Sequence, residues 1–530
     1  MTTDVRPTVR KAGAVSTTVH DHGIGSWPMR RARISPHRTA LVGPDEELDY
    51  AALASRVEHL ATTLRTLGIG RGDRVAYLGP NAISTFECLF ASGRRGAIFV
   101  PLNTRLAGTE IAYMLRDSGA RLLVYGPECA ATVAEADPES LGVQHVLSVD
   151  ELRALVRSTP AEPDDPANHT TRVELEDPAL ILYTSGTTGR PKGAVLSHGN
   201  ITWNTVNQLA HVDLASTDVT ICAAPLFHVT GLGQVTMPTF FKGGTVVVVP
   251  KFDPGPFLEL LEQRRATGFA AVPTMLQMIC DHPDWERRDV SSLRYVVFGG
   301  SPVLARVARE WLARGVQVQQ GYGLTEAAPG ILMAVPEGIA DHPVSAGVPH
   351  FFTDTTLETP LHERIDGPGQ GELLVRGPHV FKGYWDRPGD TAEALSADGW
   401  LRTGDVVRVD EDGWAQVVDR VKDMIISGGE NIYPAEVEAV IAELPGVDLV
   451  AIVAKPDERW GEVGHAFVVL ADDATLDEAA LRQHLEGRLA RYKIPQSVEF
   501  VDDLPRTATG KILRAPLRER ARTSTPKGQA

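Results

Sequence analysis

The 530-residue sequence is poor in cysteine: Cys88, Cys129, Cys222 and Cys280 are scattered, with no C-x-x-C spacing. That leaves no basis for a disulfide framework or a cysteine zinc site, and it fits a reducing cytoplasm. Long apolar runs are also missing, since stretches such as "TVVVVP" (Thr245 to Pro250) are far too short to span a bilayer. The N-terminus carries Arg6, Arg10 and Lys11 but no apolar stretch of the signal-peptide kind, so residues 1–25 read as a loose arm. Positive charge is in deficit, with 52 Lys and Arg against 68 Asp and Glu and a net charge of −16. This balance argues against general nucleic-acid binding, although a local cluster of donors can still hold an anionic substrate. No internal repeat of fixed period is found.

What is present is a composition of 43% hydrophobic and 23% charged residues, that of a soluble globular protein too long for one ordinary core. β-rich runs ("DRVAYLG", "GAIFVPL", "ARLLVYG", "ALILYTSG", "GGTVVVVP", "FAAVPT", "LRYVVFGG") alternate with helical patterns such as Ser55 to Ile69, where Val57, Leu60, Leu64 and Leu67 recur every three or four positions. The alternation predicts an α/β fold with a large N-terminal domain, 26–420, of layered and mostly parallel sheets covered by helices. The polar, proline-bearing stretch Ser158 to Thr171 reads as a surface linker. After "DEDGWAQVVDRVKD" the composition changes to a small α+β unit, 421–530, with a boundary near Arg420 to Asp423. In it, "PAEVEAVIAEL" reads as a helix, "LVAIVAKP" and "HAFVVLA" as strands, and "LDEAALRQHLEGRLARYKIP" as one amphipathic helix stopped by Pro495.

The segment "YTSGTTGRPKG" follows an apolar strand pattern and breaks into Thr184, Ser185, Gly186, Thr187, Thr188 and Gly189, with Lys192 close behind. Such a loop can aim backbone N–H groups and hydroxyls at phosphate oxygens while the lysine supplies charge. It is not a Walker A loop, because Lys192 follows proline and precedes glycine. Taken alone, this composition is that of an ordinary turn. Four further segments follow in order: "QGYGLTE" (Gln320 to Glu326), "LRTGD" (Leu401 to Asp405), "VDRVKDMIISGGENIYPAEVE" (Val418 to Glu438) and "PRTATGKILR" (Pro505 to Arg514).

These five segments in this order resemble the signature of the adenylate-forming enzymes, and among them the bacterial fatty-acyl-CoA and aryl-CoA synthetases. The likeness runs from about Trp27 to the last helix. It implies a carboxylate attacking the α-phosphorus of ATP to give acyl-AMP and pyrophosphate, followed by displacement of AMP by a thiol. By resemblance, Glu326 is the Mg²⁺ ligand, Thr325 bonds the α-phosphate, and Thr184 to Lys192 hold the β- and γ-phosphates. Asp405 faces the ribose hydroxyls with Arg420 donating from the other side, and Tyr322 stacks on adenine. Gln320, Gly321, Gly323, Gly299, Gly300 and Ser301 complete the nucleotide site; glycines there allow close backbone approach.

The likeness further makes Lys511 the mobile catalytic lysine and Lys422 the hinge of a small domain that rotates between half-reactions. That rotation brings Gly428, Gly429 and Glu430 to the thiol path. Trp460 reads equally as a partner of the pantetheine arm or as a core aromatic of the small domain. His228 resembles a gate beside the reacting carboxylate, and Val229, Val272, Met275, Ala327 and Ala328 match pocket-lining segments for an apolar acyl group.

The expected function is ATP-dependent ligation of a hydrophobic fatty, aryl or alicyclic acid to CoA, with Mg²⁺. An acyl-AMP ligase loading a phosphopantetheine carrier protein is the alternative. A non-catalytic nucleotide-binding module would need neither Lys511 nor the hinge segment. Neither chain length nor oligomeric state, a homodimer included, follows from the sequence.

Overall fold

A computed structural model describes residues 21–160, 172–184, 191–299, 305–339, 341–342, 345–427, 430–457, 459–471, 474–486, 488–506 and 512–523. The chain divides into two compact units, one built from residues 1–209, 213–270 and 288–292, the other from 210–212, 271–287 and 293–530.

The first unit is parallel α/β, as the alternation predicts. One sheet runs Lys192–Ser197, Pro178–Thr184, Ile98–Leu102, Arg74–Leu78, Leu122–Tyr125, His145–Ser148, all neighbours parallel except the first pair. Its central strands are apolar on both faces because helices cover both sides, so Val75, Val100, Leu123 and Ile181 are all almost fully buried. A second sheet orders Gly268–Ala271, Val219–Cys222, Thr245–Val248, Thr39–Val42 and Glu47–Asp49, parallel but for the last pair. The helix Tyr50–Thr66 begins five residues ahead of the predicted stretch, because the side chain of Asp49 accepts from Ala52 N at 2.7 Å and caps it.

The expected N-terminal arm ends earlier than residue 25. Asp21, Ile24 and Ser26 are buried; Arg94 pairs with Asp21 at 2.5 Å, and Ile24 N donates to His198 Nδ1 at 3.2 Å. The linker reading of 158–171 falls mostly outside the described residues, beyond the helix Val149–Ser158.

In the second unit, the parallel strands Tyr295–Phe298 and Gln317–Gly323 are followed by antiparallel Gly330–Met333 and Val348–Pro349. The next sheet is wholly antiparallel, in the order Arg364–Ile365, Asp354–Glu358, Gly369–Arg376, Leu401–Val409, Ala415–Arg420. Towards the C-terminus, Glu430–Ile432, Ile425–Ser427, Gly461–Leu470 and Val447–Asp457 form a further antiparallel sheet, with Ser497–Phe500 parallel to Gly461–Leu470. Alternating side chains of its long strands feed two cores, Ile452, Ala466 and Val468 against Val437 and Leu481 on one face, Val453, Phe467 and Val469 against Leu517 on the other. The long helix expected up to Pro495 is instead the short helix Glu478–Leu485, followed by an extended Glu486 and a single turn at Arg491–Lys493. Leu481 and Leu485 bury one face, and the glycine at 487 disfavours further helix.

Candidate active site

In the first unit, the strand Pro178–Thr184 and the antiparallel strand Lys192–Ser197 fix the two feet of the Gly/Ser/Thr loop. Thr184 stands opposite Lys192 in register, and its hydroxyl donates to Lys192 O at 3.4 Å. Loop residues Ser185, Gly186, Thr187, Thr188 and Gly189 lie outside the described residues. The strand end is anchored by the Tyr183 hydroxyl, 2.9 Å from Asp117 Oδ2 and 3.2 Å from Met114 O, while the Tyr113 hydroxyl donates to Pro191 O at 3.0 Å. Burial, reinforced by the Asp117 carboxylate, pushes the Tyr183 phenol well above its ordinary range and keeps it a donor.

His228 and Val229 also belong to this unit. The side chain of Asn81 fixes their segment by donating to Ala224 O at 2.9 Å and accepting from Leu226 N at 2.8 Å. Val229 is buried, and burial together with nearby Arg105 lowers the His228 pKa. Both influences favour the neutral imidazole over the charged one.

In the second unit, Gln320, Gly321, Tyr322 and Gly323 end a strand, and Thr325–Ala327 form a single tight turn. Gly323 is required there, because a Cβ would lie 1.6 Å from Pro329 O. Asp405 is 3% exposed and stands opposite Arg420 across the antiparallel pair. The Tyr322 hydroxyl donates to Asp405 Oδ2 at 2.6 Å, and Arg420 Nε lies 2.6 Å from Oδ1. The "TGD" turn holds the carboxylate in place: Gly404 adopts φ 69°, its N–H donates to Glu372 Oε1 at 3.0 Å, and Asp405 N donates to Thr403 Oγ1 at 3.1 Å. A carboxylate has lone pairs beyond the two engaged here, so paired ribose hydroxyls can still be accepted.

Glu326 is bound by a segment that the sequence reading missed. The Tyr384 hydroxyl donates to Glu326 Oε1 at 2.7 Å, and Phe381 N donates to Glu326 O at 2.8 Å. Nothing in the spacing of "FKGYW" announces this role. Glu372 was missed for the same reason. Ala327 and Ala328 are buried, Met275 is 7% exposed and Val272 is 36% exposed. Gly299 N donates weakly to Ala271 O at 3.4 Å, whereas Gly300 and Ser301 lie outside the described residues.

At Lys422 the chain enters a charge cluster. Asp423 pairs with Arg518 and lies 3.8 Å from Arg514 Nε, while Arg514 binds both Glu438 oxygens at 2.8 Å. Burial pushes the Glu438 carboxyl up to about 7 despite the attraction of Arg514. Trp460 is 42% exposed with the Arg459 guanidinium 4.7 Å over its ring, so the core-aromatic reading of this residue is corrected. Gly428, Gly429 and Lys511, and the side chain of Glu430, lie outside what the structure describes.

A buried, doubly held aspartate and a YGLTE turn are thus fixed in the second unit, and the comparisons with known proteins give the family. Residues 29–385 match the AMP-binding enzyme family, and residues 436–511 match the AMP-binding enzyme C-terminal domain. The chain is 51% identical over 502 residues to a feruloyl-CoA synthase of an Amycolatopsis species, covering 95% of this chain and 100% of the relative. It is 38% identical to a long-chain-fatty-acid–CoA ligase of Mycobacterium tuberculosis, covering 94% of this chain and 99% of that one. The Bacillus subtilis o-succinylbenzoate CoA synthetase, solved with its acyl-adenylate intermediate, superimposes with a TM-score of 0.83 at 31% identity, covering 95% of this chain and 99% of that one. The chain belongs to the AMP-binding enzymes, the adenylate-forming acid–thiol ligases.

Proposed function

We propose that this ligase activates an aromatic carboxylic acid as its acyl adenylate and transfers the acyl group to the thiol of CoA. The observation that carries the nucleotide part is the buried Asp405, oriented by Tyr322 and Arg420 to accept from a ribose. The aromatic part is supported by the higher identity to the feruloyl-CoA synthase, 51%, than to the fatty-acid ligase, 38%.

In the first half-reaction a carboxylate oxygen bonds to the α-phosphorus while the bond to the pyrophosphate oxygen breaks. Thr325 donates to the α-phosphate, and the loop Thr184 to Lys192 carries the β- and γ-phosphates. Lys511 stabilises charge growing on the reacting oxygens. Among the described residues no group of three or more His, Cys, Asp or Glu could hold a metal ion. A single hard carboxylate, Glu326, nevertheless suits Mg²⁺, which keeps waters and takes phosphate oxygens as its other ligands. When bound, Mg²⁺ offsets the repulsion between the carboxylate and the triphosphate. In the second half-reaction the thiolate attacks the acyl carbon and AMP leaves, by way of Gly428, Gly429 and Glu430 with Trp460 alongside the arm. We place the boundary between the large and small domains at 420/421, with Lys422 as hinge. The four cysteines are unpaired, as a reducing compartment requires, and we place the enzyme in the cytoplasm.

The test is AMP release from a panel of aromatic, alicyclic and fatty acids, with CoA and separately with a holo carrier protein. AMP release that depends on an aromatic acid and CoA supports the reading. Release only with the carrier protein, or only with fatty acids, overturns it.

A further inference from the structure

Arg514, three residues beyond Lys511, opens the last helix, Arg514–Thr523. Its guanidinium meets Glu438 as a fork, Nη1 to Oε1 and Nη2 to Oε2, each at 2.8 Å. Nη1 also donates to Ile452 O at 3.3 Å, and Ile452 N donates to Glu438 Oε1 at 2.7 Å. On the hinge side, Asp423 pairs with Arg518 and lies 3.8 Å from Arg514 Nε. These side chains are largely withdrawn from water, at 19% exposed for Arg514, 16% for Glu438 and 11% for Asp423. One arginine thus links the start of the last helix to the helix Pro434–Ile441, to the strand Val447–Asp457 and to the residue after Lys422.

Packing alone already seats these elements. Leu517 and Ala521 hold the last helix against Val453 and Phe467, and Val437 and Ile441 hold the other helix in its own core. A withdrawn ion pair adds little net stability to such packing, but a two-pronged fork fixes direction and distance. What it fixes here is the chain on either side of Lys511. Arg506 and Ile512 form an antiparallel bridge, and Leu513 N donates to Pro505 O at 2.7 Å, so the two ends of this segment are tied to each other. Arg514 follows directly and ties them to the hinge. The strands leading into and out of the thiol path are held differently, by Ile425 opposite Ile432, both buried in the apolar core.

We propose that Arg514 is a positioning residue for adenylation: set between Glu438 and Asp423, it fixes the chain that carries Lys511 relative to the hinge, so that the lysine reaches the reacting oxygens in register. This rests on the reading of Lys511 as the adenylation lysine. Arg514 acts through that lysine, and its loss leaves the thiol path in place.

The experiment uses the full chain with the panel acid that gives the highest AMP release, and with its prepared adenylate. Acid-dependent pyrophosphate exchange, single-turnover thioester formation from supplied acyl-AMP and CoA, and thermal melting are measured for Arg514→Gln, Arg514→Lys, the double variant Arg514→Met with Glu438→Leu, and Lys511→Ala. The double variant leaves no buried carboxylate without its partner, so it keeps the test open where Arg514→Gln does not fold. Arg514→Gln and the double variant should lower exchange by about tenfold or more, because a small misplacement of a reacting group is costly. Thioester formation should stay within about twofold of the wild type. Arg514→Lys keeps the charge but cannot span both Glu438 oxygens, so its exchange should lie between the wild type and Arg514→Gln. An equal fall in both half-reactions, or loss of folding in all three Arg514 variants, makes the cluster purely structural and overturns the inference. Exchange at the wild-type rate in the Arg514 variants, with Lys511→Ala inactive, overturns the inference alone. Exchange at the wild-type rate in Lys511→Ala removes the lysine reading, and this inference with it.

Discussion

The Tyr384 hydroxyl donates to Glu326 Oε1 at 2.7 Å, so the proposed metal ligand is oriented by a residue 58 positions away in sequence. Phe381 N holds the Glu326 carbonyl in the same clasp, at 2.8 Å. Tyr384→Phe removes one hydrogen bond to a charged acceptor, worth about 1.5 kcal/mol. The expected result is roughly a tenfold rise in the Mg²⁺ concentration needed for acid-dependent pyrophosphate exchange, with a matching loss in calorimetric binding of Mg·ATP. Glu326→Gln should cost more, because it removes the anionic ligand itself. An unchanged Mg²⁺ titration in Tyr384→Phe would show that the clasp is only structural.

Asp405 is engaged from two sides, by Tyr322 at 2.6 Å and by Arg420 Nε at 2.6 Å. Asp405→Asn keeps the shape but loses the charge and one acceptor, leaving Arg420 without its ion partner. ATP affinity should fall by about 2 kcal/mol, roughly thirtyfold, in both half-reactions, since ATP and acyl-AMP share the ribose. Tyr322→Phe retains the ring for stacking and removes only the anchor, so its loss should be smaller. Calorimetry of ATP binding to the two variants separates these contributions. Equal losses would mean that the hydroxyl, not the ring, is what Tyr322 contributes.

His198 sets an acid limit on the first unit. It is 0% exposed and accepts from Ile24 N at 3.2 Å, and burial pushes its pKa down from 6.5 to about 4. A pKa depressed in the folded state gives stability that is present above the unfolded value and lost as pH falls through the folded one. Between pH 6.5 and 4 that loss should reach about 3 kcal/mol. His198→Asn, which cannot titrate, should be less stable at neutral pH yet lose less stability across this window. Urea melts at intervals across the window measure it, and parallel pH curves for the two proteins would refute it.

The parallel sheets were legible because strands covered on both faces are written as unbroken apolar runs, Ile181 and Val246 among them. The antiparallel sheet from Asp354 to Arg420 was not legible. Its strands mix Thr355, Thr356, Gln370, Arg402 and Arg408 with apolar positions, and its hydrogen bonding is fixed by long-range register. The predicted helix ending at Pro495 failed because its amphipathic pattern runs on in the sequence beyond Leu485, whereas the chain is already extended at Glu486. At the site, Asp405, Arg420 and Tyr322 could be found through their ordered motifs, and the structure adds that they touch. Tyr384, Glu372 and Asn81 act through contacts between distant segments, which no local pattern encodes.

The separation of Lys511 from "SGGEN" within the C-terminal segment motivates a test of whether one site is completed twice. Lys511→Ala removes the cation expected to stabilise the adenylation transition state and leaves the thiol path alone. It should abolish acid-dependent pyrophosphate exchange while sparing thioester formation from supplied acyl-AMP. Gly429→Leu should do the reverse, because a bulky side chain obstructs the pantetheine arm without removing the lysine. Lys422→Pro should slow the second half-reaction if the fixed φ of proline favours the adenylation arrangement. Pyrophosphate exchange and single-turnover thioester formation read the two steps separately. If Lys511→Ala and Gly429→Leu slow both steps by the same factor, the alternation of the small domain fails, and a single fixed arrangement must carry out both.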